Sequence, residues 1–125
     1  YNLCRILKGL KMATNQKKSL ISSAALAANL TGDSVGLGSR SKAFIGWIKA
    51  ANVDAATTIT AKIEHSPDGT NWKTVTTFTN IVGAAATEEK QITTNVFGQV
   101  RGVVTLAGAT KLADVYIDLW FDDDK

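Results

Sequence analysis

The chain has 125 residues, of which 45% are hydrophobic, 20% charged and 7% aromatic. This length fits one domain, and the composition excludes an intrinsically disordered chain. No apolar run approaches the roughly 20 residues of a membrane-spanning helix, so we expect no membrane partner. With one cysteine, Cys4, and one histidine, His65, we expect no intramolecular disulfide, no metal and no cofactor.

The formal net charge of +3 is distributed unevenly along the chain. Residues 1–49 have a balance of +7, whereas residues 50–125 have a balance of −4. These balances describe a basic N-terminal arm attached to a mildly acidic body. Stacking of nucleic-acid bases would need basic side chains beside the aromatic strands, where only Lys73 and Arg101 are candidates, so we expect no nucleic-acid partner.

The first residues allow two interpretations. The chain opens with Tyr1, and its only methionine is Met12. If Met12 is the start residue, residues 1–11 are a translated leader, and the remainder has a formal charge of zero. Alternatively, residues 1–11 form a cationic amphipathic arm, because their apolar residues recur at spacings of three and four. Those apolar residues are Leu3, Ile6, Leu7 and Leu10.

We assign residues 1–41 to an N-terminal arm that ends in a glycine-rich loop. Residues 20–30 are rich in alanine, and their periodicity is compatible with either a short helix or a first strand. Gly32, Gly36 and Gly38 are too irregularly spaced for a dinucleotide-binding or phosphate-binding loop. A polar-to-apolar segment of the arm is the expected contact with a partner. Its residues are Lys17, Lys18, Leu20 and Ile21.

Residues 42–121 have the pattern of an antiparallel β-sandwich or jelly roll. Residues 42–50 are hydrophobic enough for a central strand buried on both faces, with Phe44 and Trp47 in the core. Residues 57–65 and 113–121 alternate between apolar and polar side chains, and turn residues separate six or seven strands. Residues 122–125 are expected to be a solvated acidic tail. The predicted core residues are Phe44, Ile48, Ile59, Ile63, Val104, Ile117 and Leu119.

The sequence contains no recognisable catalytic constellation, and we predict that the chain is not an enzyme. His65 is the only imidazole, and no Gly-x-Ser-x-Gly motif is present. Glu88 and Glu89 lie in a polar run, where no apolar pocket would raise a carboxyl pKa. Trp72 and Trp120 stay open as subunit contacts or as a platform for a ligand.

The clearest motif is the turn at residues 66–72, Ser-Pro-Asp-Gly-Thr-Asn-Trp, between two predicted strands. Asp68 can accept hydrogen bonds from backbone N–H groups of the turn, Gly69 supplies a positive φ, and Trp72 is expected to fold over the hairpin. The motif resembles the hairpin of small β-sandwich structural proteins of tailed bacteriophages, which include head decoration (cement) and fibre-base proteins. Residues 100–108 and 114–121 resemble the last two strands of such proteins.

The resemblance implies a virion component without an active site, on the capsid exterior, that clamps neighbouring subunits of the major capsid protein. The thin core and open strand edges of the predicted sandwich further favour a symmetric homo-oligomer, with a trimer as the expected state. Two alternatives stay open. One is a phage tail or fibre component, and the other is a carbohydrate-binding module, because discoidin-like sandwiches also contain an Asp-Gly-x-x-Trp turn.

Overall fold

A computed structural model of the chain describes residues 14–37, 41–93, 96 and 98–123. Within these ranges all regular secondary structure is β-strand, and the strands form two antiparallel sheets. The predicted all-β antiparallel sandwich is therefore confirmed. The strands are β1 (Thr14–Leu26), β2 (Leu30–Thr31), β3 (Val35–Gly36), β4 (Ser41–Ala51), β5 (Thr58–Ser66), β6 (Lys73–Thr77), β7 (Ile81–Val82), β8 (Ala86–Gln91), β9 (Gln99–Ala107) and β10 (Ala113–Asp123).

The chain builds the two sheets alternately. Sheet 1 has the strand order β1-β10-β4-β8. Sheet 2 has β9 and β5 at its centre, with β2 and β3 beside β9, and β6 and β7 beside β5. Most connections therefore cross from one sheet to the other, and the first and last strands, β1 and β10, lie side by side. Among the described residues, no helix is long and apolar enough to cross a membrane.

The core lies between the two sheets and is formed by alternate residues of the long strands. All seven predicted core residues are at most 6% exposed, so the predicted inward faces are confirmed. The alternation is clearest in β10, where every second residue from Val115 to Phe121 is buried. Connecting segments add Phe78, Ile92 and Val96 to the core. Their burial is not visible in a strand pattern, because they lie just outside the strands.

The N-terminal part of the chain differs from the sequence prediction. Residues 14–26, which were assigned to an arm outside the sandwich, form β1 and pair with β10 along its length. A register shift between Ser19 and Ile21 lets two consecutive apolar residues, Leu20 and Ile21, enter the core. Residues 14–26 of the predicted arm are therefore an edge strand of sheet 1, and the arm's strands β2 and β3 belong to sheet 2, where they pair with β9. Residues 1–13 lie outside the described residues, so the leader stays a prediction.

Two further expectations need correction. Trp47 was predicted in the core but is half-buried, because β4 turns Phe44 and Ile48 inward and Trp47 toward the outer face of sheet 1. The hydrophobic run 42–50 is therefore a central strand with one fully buried face. The predicted acidic tail also begins later than expected, since Asp122 and Asp123 belong to β10.

Candidate interaction surfaces

The hairpin turn after β5 is held together by hydrogen bonds between close sequence neighbours. The Asp68 carboxylate accepts from the N–H groups of Thr70 and Asn71, each at 2.8 Å, and from the Ser66 hydroxyl at 2.9 Å. Gly69 has a φ of 76°, and its N–H donates to Ser66 Oγ. These hydrogen bonds hold the pKa of Asp68 well below its usual range, and the bond from the Asn71 N–H has the largest effect. The described bonds of this turn serve its own structure.

Trp72 follows this turn and is paired with a cation of its own chain. The Arg101 guanidinium lies over the indole, 4.1 Å from the ring centroid. Arg101 Nε donates to Glu64 Oε1 at 2.9 Å, and Lys62 Nζ lies 3.2 Å from Glu64 Oε2. Burial would raise the pKa of Glu64, but the hydrogen bonds from Arg101 and Lys62 outweigh burial and lower it. Trp72 therefore fastens the hairpin to β9, and its Arg101-covered face cannot stack on a ligand.

The outer face of sheet 1 carries an open group of large apolar residues. Trp120 is 40% exposed, and Ile45 lies opposite it on β4. Trp47 and Tyr116 are half-buried on the same face, two and four cross-strand pairs away from the pair of Trp120 and Ile45. We call this group the aromatic face, defined by Ile45, Trp47, Tyr116 and Trp120. Its indole and phenol groups are the side chains that most often anchor protein and sugar contacts.

The predicted contact residues between 17 and 21 do not all lie on the same surface. Lys17 is exposed, and its Nζ lies 5.6 Å from the ring centroid of Trp120. Lys18 is half-buried. Leu20 and Ile21 are in the core, where no partner can reach them, so these two residues are corrected from contact to core residues. Of the four predicted contact residues, Lys17 therefore lies at the aromatic face, whereas Lys18 lies opposite the buried Leu119.

Loops at one end of the sandwich form a second surface, and sequence reasoning missed it. The loops 52–57, 83–85 and 108–112 meet at Thr57. The Thr57 hydroxyl donates to the Thr110 carbonyl at 2.7 Å and accepts from the Leu112 N–H at 3.1 Å, and the Thr57 carbonyl accepts from the Gly83 N–H. We call this surface the apolar end. Its exposed apolar residues are Ala55, Ala56, Val82, Ala84, Ala85, Ala107, Ala109 and Leu112.

Glycines allow the three loops of the apolar end to approach closely. Gly83 and Gly108 have φ values of 63° and 117°. A Cβ at Gly83 would lie 2.7 Å from the carbonyl oxygen of Ala55, and one at Gly108 would overlap the carbonyl oxygen of Ala56. The available sequence signal was three separate alanine-rich turns, which do not by themselves indicate that the turns meet.

The remaining side chains that could take part in catalysis are either buried or hydrogen-bonded within the sandwich. His65 is buried in β5. Burial would raise the pKa of Glu88, but a 2.7 Å hydrogen bond from the Thr79 N–H helps to hold it below its usual value, which is opposite to the shift that a general acid needs. Within the described ranges, no group of three or more His, Cys, Asp and Glu side chains could hold a metal ion.

Comparison with known proteins gives a structural likeness and no sequence relative. No protein-family model matches the chain, and no curated protein matches it. The sandwich is similar to a chain in the structure of infectious bursal disease virus Gx strain, with a TM-score of 0.56 and 10% sequence identity. The match covers 90% of this chain and 32% of the viral chain, so this chain spans about a third of that chain's length. At this identity the likeness shows a shared β-sandwich fold.

Proposed function

We propose that the chain is a non-enzymatic structural protein of a virus particle, and more narrowly a decoration protein that binds the outside of a bacteriophage capsid. One observation carries the proposal: the sandwich that includes 90% of this chain is similar to part of a chain in a virus structure. The resemblance of the Ser66-to-Trp72 turn to phage decoration proteins supports the narrower statement. A fold alone does not determine function, so the proposal depends on the surfaces described above.

The aromatic face is the proposed contact with the major capsid protein. It combines Trp120, which is 40% exposed, with half-buried Trp47 and Tyr116 on a sheet, where strand pairing restricts movement of the backbone. Partly exposed aromatic side chains on a rigid surface bind with little loss of conformational entropy. Many copies on a repeating lattice would need only weak individual contacts, because avidity strengthens their attachment.

The first test is the protein's presence in particles. Mass spectrometry of purified virions, from the virus whose genome encodes the chain, should recover its peptides in many copies. Purified capsids should then bind added protein to saturation, as measured by co-sedimentation. Absence of the protein from virions, together with no binding to capsids, would refute the proposed function.

A charge substitution locates the contact. Trp120→Lys should weaken capsid binding roughly 10-fold or more, because it places a charge in the aromatic face. Thr105→Lys is the matched control, since Thr105 is exposed on β9 of sheet 2 and receives the same charge. Equal binding by both variants would exclude the aromatic face as the capsid contact.

Carbohydrate binding is the second candidate, and exposure of Trp120 is the observation that favours it. Trp120 can stack on a sugar ring through its exposed part, because Lys17 Nζ lies further from its ring, at 5.6 Å, than Arg101 lies from Trp72. Asp118 and Lys49 lie on the same face as Trp120. Trp72 is the less suitable platform, because Arg101 lies over its ring. Saturable binding on a glycan array that is lost in Trp120→Ala and kept in Trp72→Ala would establish this alternative.

A further inference from the structure

We propose that the apolar end is the surface through which a second copy of this chain binds. The exposed side chains that define it are six alanines together with Val82, which is 65% exposed, and Leu112, which is 42% exposed. Large contiguous apolar patches are uncommon on monomeric proteins and usually mark a contact. The proposal concerns self-association and goes beyond the attachment to a capsid proposed above.

The charges of the apolar end fit a copy of itself. Loops 52–57, 83–85 and 108–112 contain one acidic residue, Asp54, and one basic residue, Lys111. A surface with a large excess of one sign would repel its own copy, whereas these loops contain one charge of each sign. The groove beside them adds one carboxylate, Glu88, which accepts from the Thr79 N–H. Lys111 of one copy can pair with Asp54 of the other at the rim, where such a pair favours correct orientation more than affinity.

The small side chains of the apolar end reduce the cost of association. Alanine loses no rotamer freedom when it is buried, so the contact surfaces of Ala55, Ala84 and Ala109 are covered without that entropic penalty. The loops are already fixed on each other through Thr57, which limits the ordering needed on binding. Burial of Val82 and Leu112 then supplies the hydrophobic gain.

A groove and a projecting side chain occur together at this end. Residues 79–88 surround a shallow groove of about 260 Å³, whose apolar lining includes Ile81, Val82 and Ala85. The exposed Leu112 lies close to this groove. Its N–H donates to Thr57 Oγ1, and Thr58, which follows Thr57 in the chain, pairs with Val82 of the groove. In a two-fold dimer each Leu112 can enter the partner's groove, and in a ring such as the predicted trimer each groove can receive the leucine of the next copy.

The test compares two double variants that add the same charge. Val82→Lys with Leu112→Lys places two lysines in the apolar end, and Thr74→Lys with Thr105→Lys places two at exposed positions of sheet 2. Sedimentation velocity over a range of micromolar concentrations measures mass, and circular dichroism verifies folding. We expect the wild type and the sheet 2 variant to be oligomers, and the apolar-end variant to dissociate with a Kd raised roughly 100-fold or more.

Other occupants would be recognised by other results. A wild type that stays monomeric at every concentration would overturn the inference, as would an apolar-end variant that keeps the wild-type mass. If the wild type is monomeric and amide exchange at Val82 and Leu112 slows only on capsids or on phosphatidylcholine vesicles, the occupant is shell protein or lipid and the inference is wrong. An oligomer that is absent from virions and does not bind capsids refutes the proposed function and leaves the inference standing. A monomer that binds capsids overturns the inference and leaves the proposed function standing.

Discussion

The two ends of β5 are held by hydroxyl groups with very different partners. At the turn end, the Ser66 hydroxyl bonds to Asp68 and Gly69, two and three residues away in sequence. At the apolar end, the Thr57 hydroxyl bonds to Thr110 and Leu112, 53 and 55 residues away. The turn is therefore specified by one short segment, whereas the apolar end exists only after strands distant in sequence have paired. Substitutions at the two ends should show this difference.

The largest effect is expected where two distant loops touch. Gly108→Ala forces a Cβ onto the carbonyl oxygen of Ala56 at a φ of 117°, and should lower the free energy of unfolding by about 2 to 4 kcal/mol. Gly36→Ala is the control, because nothing lies within 4 Å of its added Cβ. Urea unfolding measures both. Equal losses would show that loop contact at Ala56 does not set the stability of the apolar end.

Removing the Thr57 hydroxyl should have the next largest effect. Thr57→Val keeps the shape of this buried side chain but leaves the Thr110 carbonyl and the Leu112 N–H without their described partner, at a cost of about 1 to 3 kcal/mol. Hydrogen exchange at Leu112, far along the chain, should become faster. Ser66→Ala should instead affect exchange close to Gly69. If Thr57→Val changes exchange only within 52–58, the two ends do not differ as described.

This contrast explains what could be predicted from the sequence. Period-two alternation identified the inward faces of β5 and β10, because a strand with one buried face shows its environment in its own residues. The turn was predictable because Ser66, Asp68 and Gly69 bond within one segment. Burial of Leu20 and Ile21 was missed because it depends on a register shift against β10.

The candidate surfaces were less predictable than the fold. Trp47 was misplaced because its hydrophobic neighbours indicate a buried strand without indicating which face is covered. The apolar end was missed because Ala55, Ala84 and Ala109 belong to three turns, and only the completed sheets bring these turns together. Surfaces of this kind depend on tertiary contacts that no single segment encodes.

Stability at the turn should depend on pH through Asp68. The pKa of Asp68 is lowered in the folded protein, so its carboxylate stabilises the fold above the unfolded-state pKa of about 3.9. This contribution is lost as the pH falls and the carboxylate is protonated. The stability difference between wild type and Asp68→Ala should therefore be largest near neutral pH and shrink on acidification, as measured by thermal unfolding. A difference that stays constant down to acidic pH would contradict this account of the turn.

The smallest expected effect on the free energy of unfolding is at Ala25, an alanine with a positive φ. The turn has Gly69 at a φ of 76°, whereas Ala25, near the apolar end, has a φ of 50° and is held there by its N–H bond to Asp114 Oδ1 at 2.7 Å. Asp114 Oδ2 also accepts from Asn52, which ties β1 to the end of β4 through β10. The cost of the left-handed alanine is therefore offset by a partner 89 residues away.

Glycine at this position should relieve the backbone cost and keep the hydrogen bond. Ala25→Gly is expected to raise the free energy of unfolding by about 0.5 kcal/mol, since the gain from positive φ exceeds the entropic penalty of glycine. Ala24→Gly, at a neighbouring exposed position of β1, should lower it by about 0.5 to 1 kcal/mol. Opposite signs at adjacent alanines would show that the fold holds Ala25 at a positive φ that alanine itself disfavours. Equal losses would contradict that conclusion.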